Sequence, residues 1–279
     1  MNVKTVIFVF CITMSGTAYA QQRPLVTEDP ETIGTGRVLL EGGFSMDFDQ
    51  ANYVNGLEGD ITRLGSFGIS IGVGTVAEVQ VDGGLVQRLE VTQRLPNAPL
   101  ENVTLFLPGD KATSFEDLIV ATKVRVAAET ASRPAIGLRF GTKLPTAAPD
   151  KGIGLGTTDF LASFLLAKTV RSVRTVGNVG LIVLGNPVDA QQSASTFGFG
   201  LSVARAITNA FELVGEINGR LSPPFEDDVP EGLKSRGVMR FAGRYTYAML
   251  RLDFGVLAGI TSRDPSFGFS AGATYVITR

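Results

Sequence analysis

Apolar and polar residues alternate along most of this chain with a period of two. The clearest run covers 117–168. In its first segment Leu118, Val120, Val124 and Val126 share one face, and Asp117, Lys123 and Arg125 share the other. In its second, Ile136, Leu138, Phe140 and Leu144 alternate with Arg139, Gly141 and Lys143. In its third, Phe160, Ala162, Phe164 and Leu166 alternate with Asp159, Leu161 and Ser163. Successive side chains of a strand point to opposite faces, so each segment predicts a strand. A short turn, 128–134, separates the first two, and a longer Pro/Gly/Asp loop, 145–156, the last two. Alternation of short turns with long loops predicts an outer-membrane barrel.

The same pattern recurs on both sides of this run. Upstream it predicts strands near 37–49, 61–73 and 76–91. In the third of these, Val79, Val81, Leu85 and Leu89 form the apolar face, and Glu78, Gln80, Asp82 and Arg88 the polar one. A long Pro/Asn/Asp-containing loop is expected at 92–115. Downstream, strands are expected near 176–184, 196–205, 211–221, 238–247, 250–260 and 267–277. The total is about twelve, an even number that brings both ends to the periplasmic side. Most segments reach the roughly 9–11 residues that a tilted strand needs to cross a bilayer. Closure also removes the sheet edges that lipid cannot hydrogen-bond. The fold class is therefore all-β: a closed antiparallel transmembrane β-barrel with short periplasmic turns and longer extracellular loops. A soluble secreted sandwich shares the alternation, because soluble sheets also have one apolar face. Strand length and the turn rhythm favour the barrel.

The N-terminus agrees with that compartment. Lys4, an apolar run over 6–14 and Ala18-Tyr19-Ala20 have the form of a secretory signal over 1–20. Residues 21–35, polar and carrying two prolines, are expected to form a periplasmic N-terminal segment, folded under or into the barrel. The barrel itself is assigned to 36–279, in the bacterial outer membrane. The single cysteine, Cys11, falls in the signal, which leaves the mature chain without a disulfide framework or a thiol nucleophile.

Composition narrows the chemistry. The chain has no histidine, which removes the commonest general base and excludes a Ser-His-Asp triad. Its formal net charge of −2 argues against a nucleic-acid partner. Mean hydropathy is +0.21 despite many glycines and charges, as expected when one face of every strand is lipid-grade. Glu212 and Glu216 lie on one strand, roughly 13 Å apart by strand rise, too far to share a substrate atom. The glycines of KGIGLGTT precede a strand rather than a helix, which excludes a nucleotide loop. No enzyme activity, metal or cofactor is expected.

The inward faces carry both signs of charge. Lys123, Arg125, Arg139, Lys143, Arg220, Arg240, Arg244 and Arg251 are the principal basic candidates for a pore lining, with Glu212, Glu216 and Asp253 among the acidic ones. The same residues also suit a ladder of cross-strand ion pairs that fills the lumen. Arg220, Arg240, Arg244 and Arg251 fall on three successive strands and form the candidate anion-attracting patch. The acidic group Glu226, Asp227, Asp228 and Glu231 reads as a solvated loop. Lys168, Arg205, Tyr245, Tyr247 and Tyr275 are outward-phased near short turns, where long stems and phenol rings suit the headgroup level.

Several stretches together carry a family resemblance: RPLVTEDPETIGTGRVLLEGGF, GVGTVAEVQV, EDLIVATKVRV, RPAIGLRFGTKLPT, DKGIGLGTTDFLASFLLAK, ELVGEINGR and DPSFGFSAGATYVITR. They span nearly the whole mature chain. The chain resembles the outer-membrane barrel proteins linked to meta-pathway phenol degradation. The resemblance implies a transport-related role for small, aromatic solutes, with outer-membrane lipid and the barrel-assembly machinery as partners. One departure is the end of the chain, Thr278-Arg279, where such barrels commonly carry an aromatic residue. The functional expectation is a barrel that binds or passes a small solute of aromatic or anionic character. The alternative is a plugged barrel with a structural or surface-interaction role.

Overall fold

The computed structural model describes residues 23–100, 105, 107–187, 193–222 and 233–278. The expected signal at 1–20 and the acidic loop group at Glu226–Glu231 lie outside the described residues. The strands are β1 (Arg37–Asn52), β2 (Leu57–Gly72), β3 (Ala77–Arg94), β4 (Lys111–Ser114), β5 (Leu118–Ala127), β6 (Ala135–Leu144) and β7 (Asp159–Val170). They continue with β8 (Val173–Gly185), β9 (Ser193–Ala206), β10 (Phe211–Leu221), β11 (Arg236–Tyr247), β12 (Leu250–Gly259) and β13 (Phe267–Thr278). Every pairing is antiparallel between sequence neighbours, save that β3 pairs with β5 past β4. Closure comes from β1 against β13, in register from Arg37↔Thr278 to Phe48↔Phe267. The result is a closed twelve-strand barrel, with β4 a short flap on the far end of β3.

That flap falls in the expected 92–115 loop, and β3 runs on to Arg94. Lys111–Ser114 pairs with Gln87–Glu90 because β3 projects beyond β5 and offers an open edge there. The start of β1, the end of β13 and the short turns share one end, the periplasmic end of such barrels. At the other end the connections are mostly longer.

The outer surface is the apolar phase of the strands. Ile71, Phe140, Phe160, Phe164, Val179, Phe197, Leu213, Phe241, Phe254 and Tyr275 are all exposed on it. Tyr247 projects outward at the short β11–β12 turn. The closing seam is faced with rings: Phe44 meets Phe269 edge-on at 5.8 Å, and Phe48 stacks on Phe267 at 6.5 Å. Such pairs add about 0.5–1.5 kcal/mol each beyond their buried area. With an apolar belt outside and every ladder closed, this barrel belongs in the bacterial outer membrane.

Among the described residues the strand ladders carry four register shifts, and the one at Gly65 has consequences. Gly65, at φ +67°, is skipped in the β1–β2 ladder, where Gly43 faces Ser66 and Phe44 faces Leu64. Opposite this bulge Leu85 and Val86 are both exposed. Past it β3 changes phase. Leu89 is therefore buried inside rather than lipid-facing, and Arg88 is exposed beside Glu90 rather than lumenal. Uniform period two placed these two residues on the wrong faces, because one extra residue flips every later side chain.

Candidate functional site

The lumen is divided into two levels. The periplasmic half is filled by residues 23–35 of the chain's own N-terminal segment. Leu25 packs against the inward residues Ala204, Val214 and Ala242, and Ile33 against Leu39 and Val276. The strands make room with glycines on their inward faces. A Cβ at Gly200 would lie 2.7 Å from Thr27 Oγ1, and one at Gly137 2.9 Å from Pro30 Cβ.

The segment lacks a strand partner, so its backbone donors go to side chains. Glu216 accepts from the N–H groups of Val26 at 2.9 Å and Thr27 at 2.7 Å. Glu78 accepts from Ile33 N at 2.8 Å. Asn178 both accepts from Glu28 N, at 2.6 Å, and donates to its carbonyl, at 2.8 Å. Arg244 Nε donates to the Arg23 carbonyl at 3.0 Å.

The segment's acids meet the barrel's bases. Glu28 lies 3.4 Å from Lys123 and 3.0 Å from Arg139. Glu31 lies 2.5 Å from Arg125, and Asp29 is held by Arg174. Lys123 also pairs with Glu78 at 3.0 Å and is 1% exposed. Arg174 is tied in turn to Glu129 in the β6-side turn, at 3.1 Å. Burial works against the ionised Glu129, but the Thr169 N–H, Lys168, the Thr169 hydroxyl and Arg174 outweigh it. Its carboxyl is held below the ordinary range.

The expected arginine patch is spread over both levels. Arg240 pairs with Glu216 at 3.0 Å and donates to Asn218 Oδ1, while Arg244 pairs with Glu212 at 3.1 Å. Arg251 and Asp253 sit beside Arg244 in the packed half, with the Arg251 Nε and both Asp253 carboxylate oxygens lacking a hydrogen-bond partner there. Arg220 stands apart, near the extracellular end of β10.

Above the segment lies an extracellular chamber of about 720 Å³. Its wall carries Lys143, which bridges Asp159 at 2.8 Å and Asp117 at 3.2 Å. Arg63 bridges Asp47 and Glu116, the latter at 2.7 Å. Arg236 pairs with Asp264 at 3.3 Å. Between these charges stand Leu57, Ile61, Leu89, Leu155 and Leu184.

Sequence reasoning missed Glu28, Asp29 and Glu31 of the segment and the wall residues Arg174 and Asn178 that hold it. A signal was present: three acids within four residues of a segment expected to fold under or into a barrel whose inward faces carry many bases.

No family model matches this chain, and no curated protein matches it in sequence. Solved structures do. An outer membrane channel from Pseudomonas putida F1 is similar over 89% of this chain and 98% of its own, at 11% identity and TM-score 0.62. LpxR from Salmonella typhimurium aligns over 85% of this chain and 99% of its own, at 10% identity and TM-score 0.45. The translocator domain of the autotransporter NalP from Neisseria meningitidis aligns over 86% and 87%, at 10% identity and TM-score 0.46. The first of these shares the fold of this chain.

Proposed function

We propose that this barrel is an outer-membrane channel for small solutes, gated from within by its own N-terminal segment. The observation that carries this reading is the two-level lumen. A chamber of about 720 Å³ opens toward the outside, and the lumen on its periplasmic side is filled by a segment held by side chains rather than by strand pairing. A segment held in this way can leave without breaking the barrel's ladder. The chamber's size falls within the roughly 300–1,000 Å³ usual for small-molecule sites. An enzyme reading has less support, because Glu212 and Glu216 are already engaged by Arg244, Arg240 and the segment's own N–H groups.

The motif resemblance supports a place among the phenol-degradation-linked barrels, and so a role in passing aromatic solutes. Outward-phased Tyr275 and Ile277 on β13 support recognition by the barrel-assembly machinery.

The test is conductance in planar bilayers for the mature chain and for a variant lacking 21–35, each checked for folding by heat-modifiable gel mobility. The channel reading expects small or intermittent conductance from the mature chain and a steady open level from the deletion. If the deletion folds and stays closed, the channel reading fails; if the deletion conducts while the mature chain never opens, the permanently plugged, structural alternative replaces it, and that alternative draws on the ion pairs holding the segment.

A further inference from the structure

We propose that Arg220 makes the extracellular chamber a site for a small monocarboxylate with an apolar body. This rests on the channel reading and names the class of its solute. Among the described residues, Arg63, Lys143 and Arg236 on the chamber wall each have at least one carboxylate partner. Arg220 has none within ion-pair distance among the described residues. Its Nε donates to the Lys234 carbonyl at 3.4 Å, and among the described residues the two terminal nitrogens of its fork have no acceptor.

Its position sharpens the point. Arg220 stands directly opposite Arg236 in the β10–β11 register. Like charges directly opposite one another are unfavourable in a sheet. A carboxylate entering the chamber relieves that opposition and accepts two parallel hydrogen bonds from a guanidinium.

The rest of the wall defines the remainder of the solute. Leu57, Leu89 and Leu233 present buried apolar surface to the same cavity. That surface suits a compact hydrocarbon body, which is driven out of water by the hydrophobic effect. Asp117, Asp159 and Glu116 on the same wall oppose a second negative charge, so a monoanion is favoured over a phosphate or a dicarboxylate.

The experiment is calorimetric binding in a non-ionic detergent, with cyclohexanecarboxylate and its uncharged amide as probes. The proteins are the mature wild type, Arg220→Gln, Arg220→Lys and Arg88→Gln. The last removes an exposed charge paired with Glu90, away from the chamber wall, and serves as the control. Wild type and Arg88→Gln are expected to bind the acid at least tenfold more tightly than the amide. Arg220→Gln is expected to lose that preference while keeping its affinity for the amide, and Arg220→Lys to keep part of it. Equal binding of acid and amide by the wild type, or an undiminished preference in Arg220→Gln, overturns the carboxylate site and leaves the channel reading standing. Failure of the wild type to bind either probe overturns the site, and a closed deletion variant in the bilayer assay then removes the channel reading as well.

Discussion

Arg174 on β8 grips Asp29 of the N-terminal segment at two points, Nε to Oδ2 at 2.5 Å and Nη2 to Oδ1 at 2.7 Å. This parallel fork is the strongest type of side-chain hydrogen bond, in both energy and geometry. It joins a segment with no place in the sheet to a strand that forms the wall. Both side chains are less than a fifth exposed, so solvent screens them only in part.

Removing the fork should loosen the segment without disturbing the barrel. Arg174→Gln is expected to cost about 1–3 kcal/mol of segment docking, the usual range for hydrogen bonds to charged groups. Limited proteolysis in detergent reads this directly, as faster cleavage within 23–35. Unchanged cleavage would show that the other anchors hold the segment alone.

Lys123 is a harsher test. It is 1% exposed and lies between Glu28 and Glu78, which is itself fully buried. Lys123→Met removes the cation and leaves two buried carboxylates, one still beside Arg139 and the other beside Gln80. Breaking a buried pair costs about 3–5 kcal/mol, and the retained neighbours set this case near the lower end. Adding Glu78→Gln should recover part of the loss. Guanidinium unfolding followed by gel mobility measures both, and a double variant no better than the single would place the cost in packing instead.

The close approach of segment and wall can be probed at Gly72. A Cβ there would lie 1.8 Å from the Gly34 carbonyl oxygen, and the Gly36 N–H donates to the Gly72 carbonyl at 3.2 Å. Gly72→Ala must push the root of the segment away and is expected to cost roughly 1–3 kcal/mol, as overpacked sites do. Gly42→Ala on β1 meets nothing within 4 Å and should change stability by less than about 0.5 kcal/mol. Equal effects at the two sites would contradict the docked position of Gly34.

The lipid face should reject charge where the chamber tolerates it. Phe164→Arg, on an outward residue in the middle of β7, is expected to cost about 2–4 kcal/mol, because hydrocarbon cannot solvate a guanidinium. Gln87→Arg, on the chamber wall, should cost less than about 1 kcal/mol, since water reaches it. Refolding yields into vesicles and denaturant midpoints for the two variants decide whether the facing is right.

The alternation of residues such as Phe160, Phe164 and Leu166 with Asp159 and Ser163 determined the strands, their facing and the barrel class. It could do so because a strand's side-chain period is a local property, and a lipid surface demands apolar residues at every second position. The same alternation placed Lys123, Arg139, Lys143, Arg240 and Arg244 on the polar phase. It could not say what those charges meet. Glu28 lies 95 residues from Lys123, and Asp29 145 residues from Arg174. Such pairs form only once the closed barrel encloses the segment. The tertiary structure alone decided three further points. Gly65 shifts the ladder and carries Leu89 inward, where a strictly periodic reading kept it outside. Inward glycines such as Gly72, Gly137 and Gly200 leave volume that the segment fills. Arg220, equal in sequence to Arg240 and Arg244, is set apart because they find carboxylates opposite them in the β10–β11 register, whereas it stands opposite Arg236 and faces the open chamber.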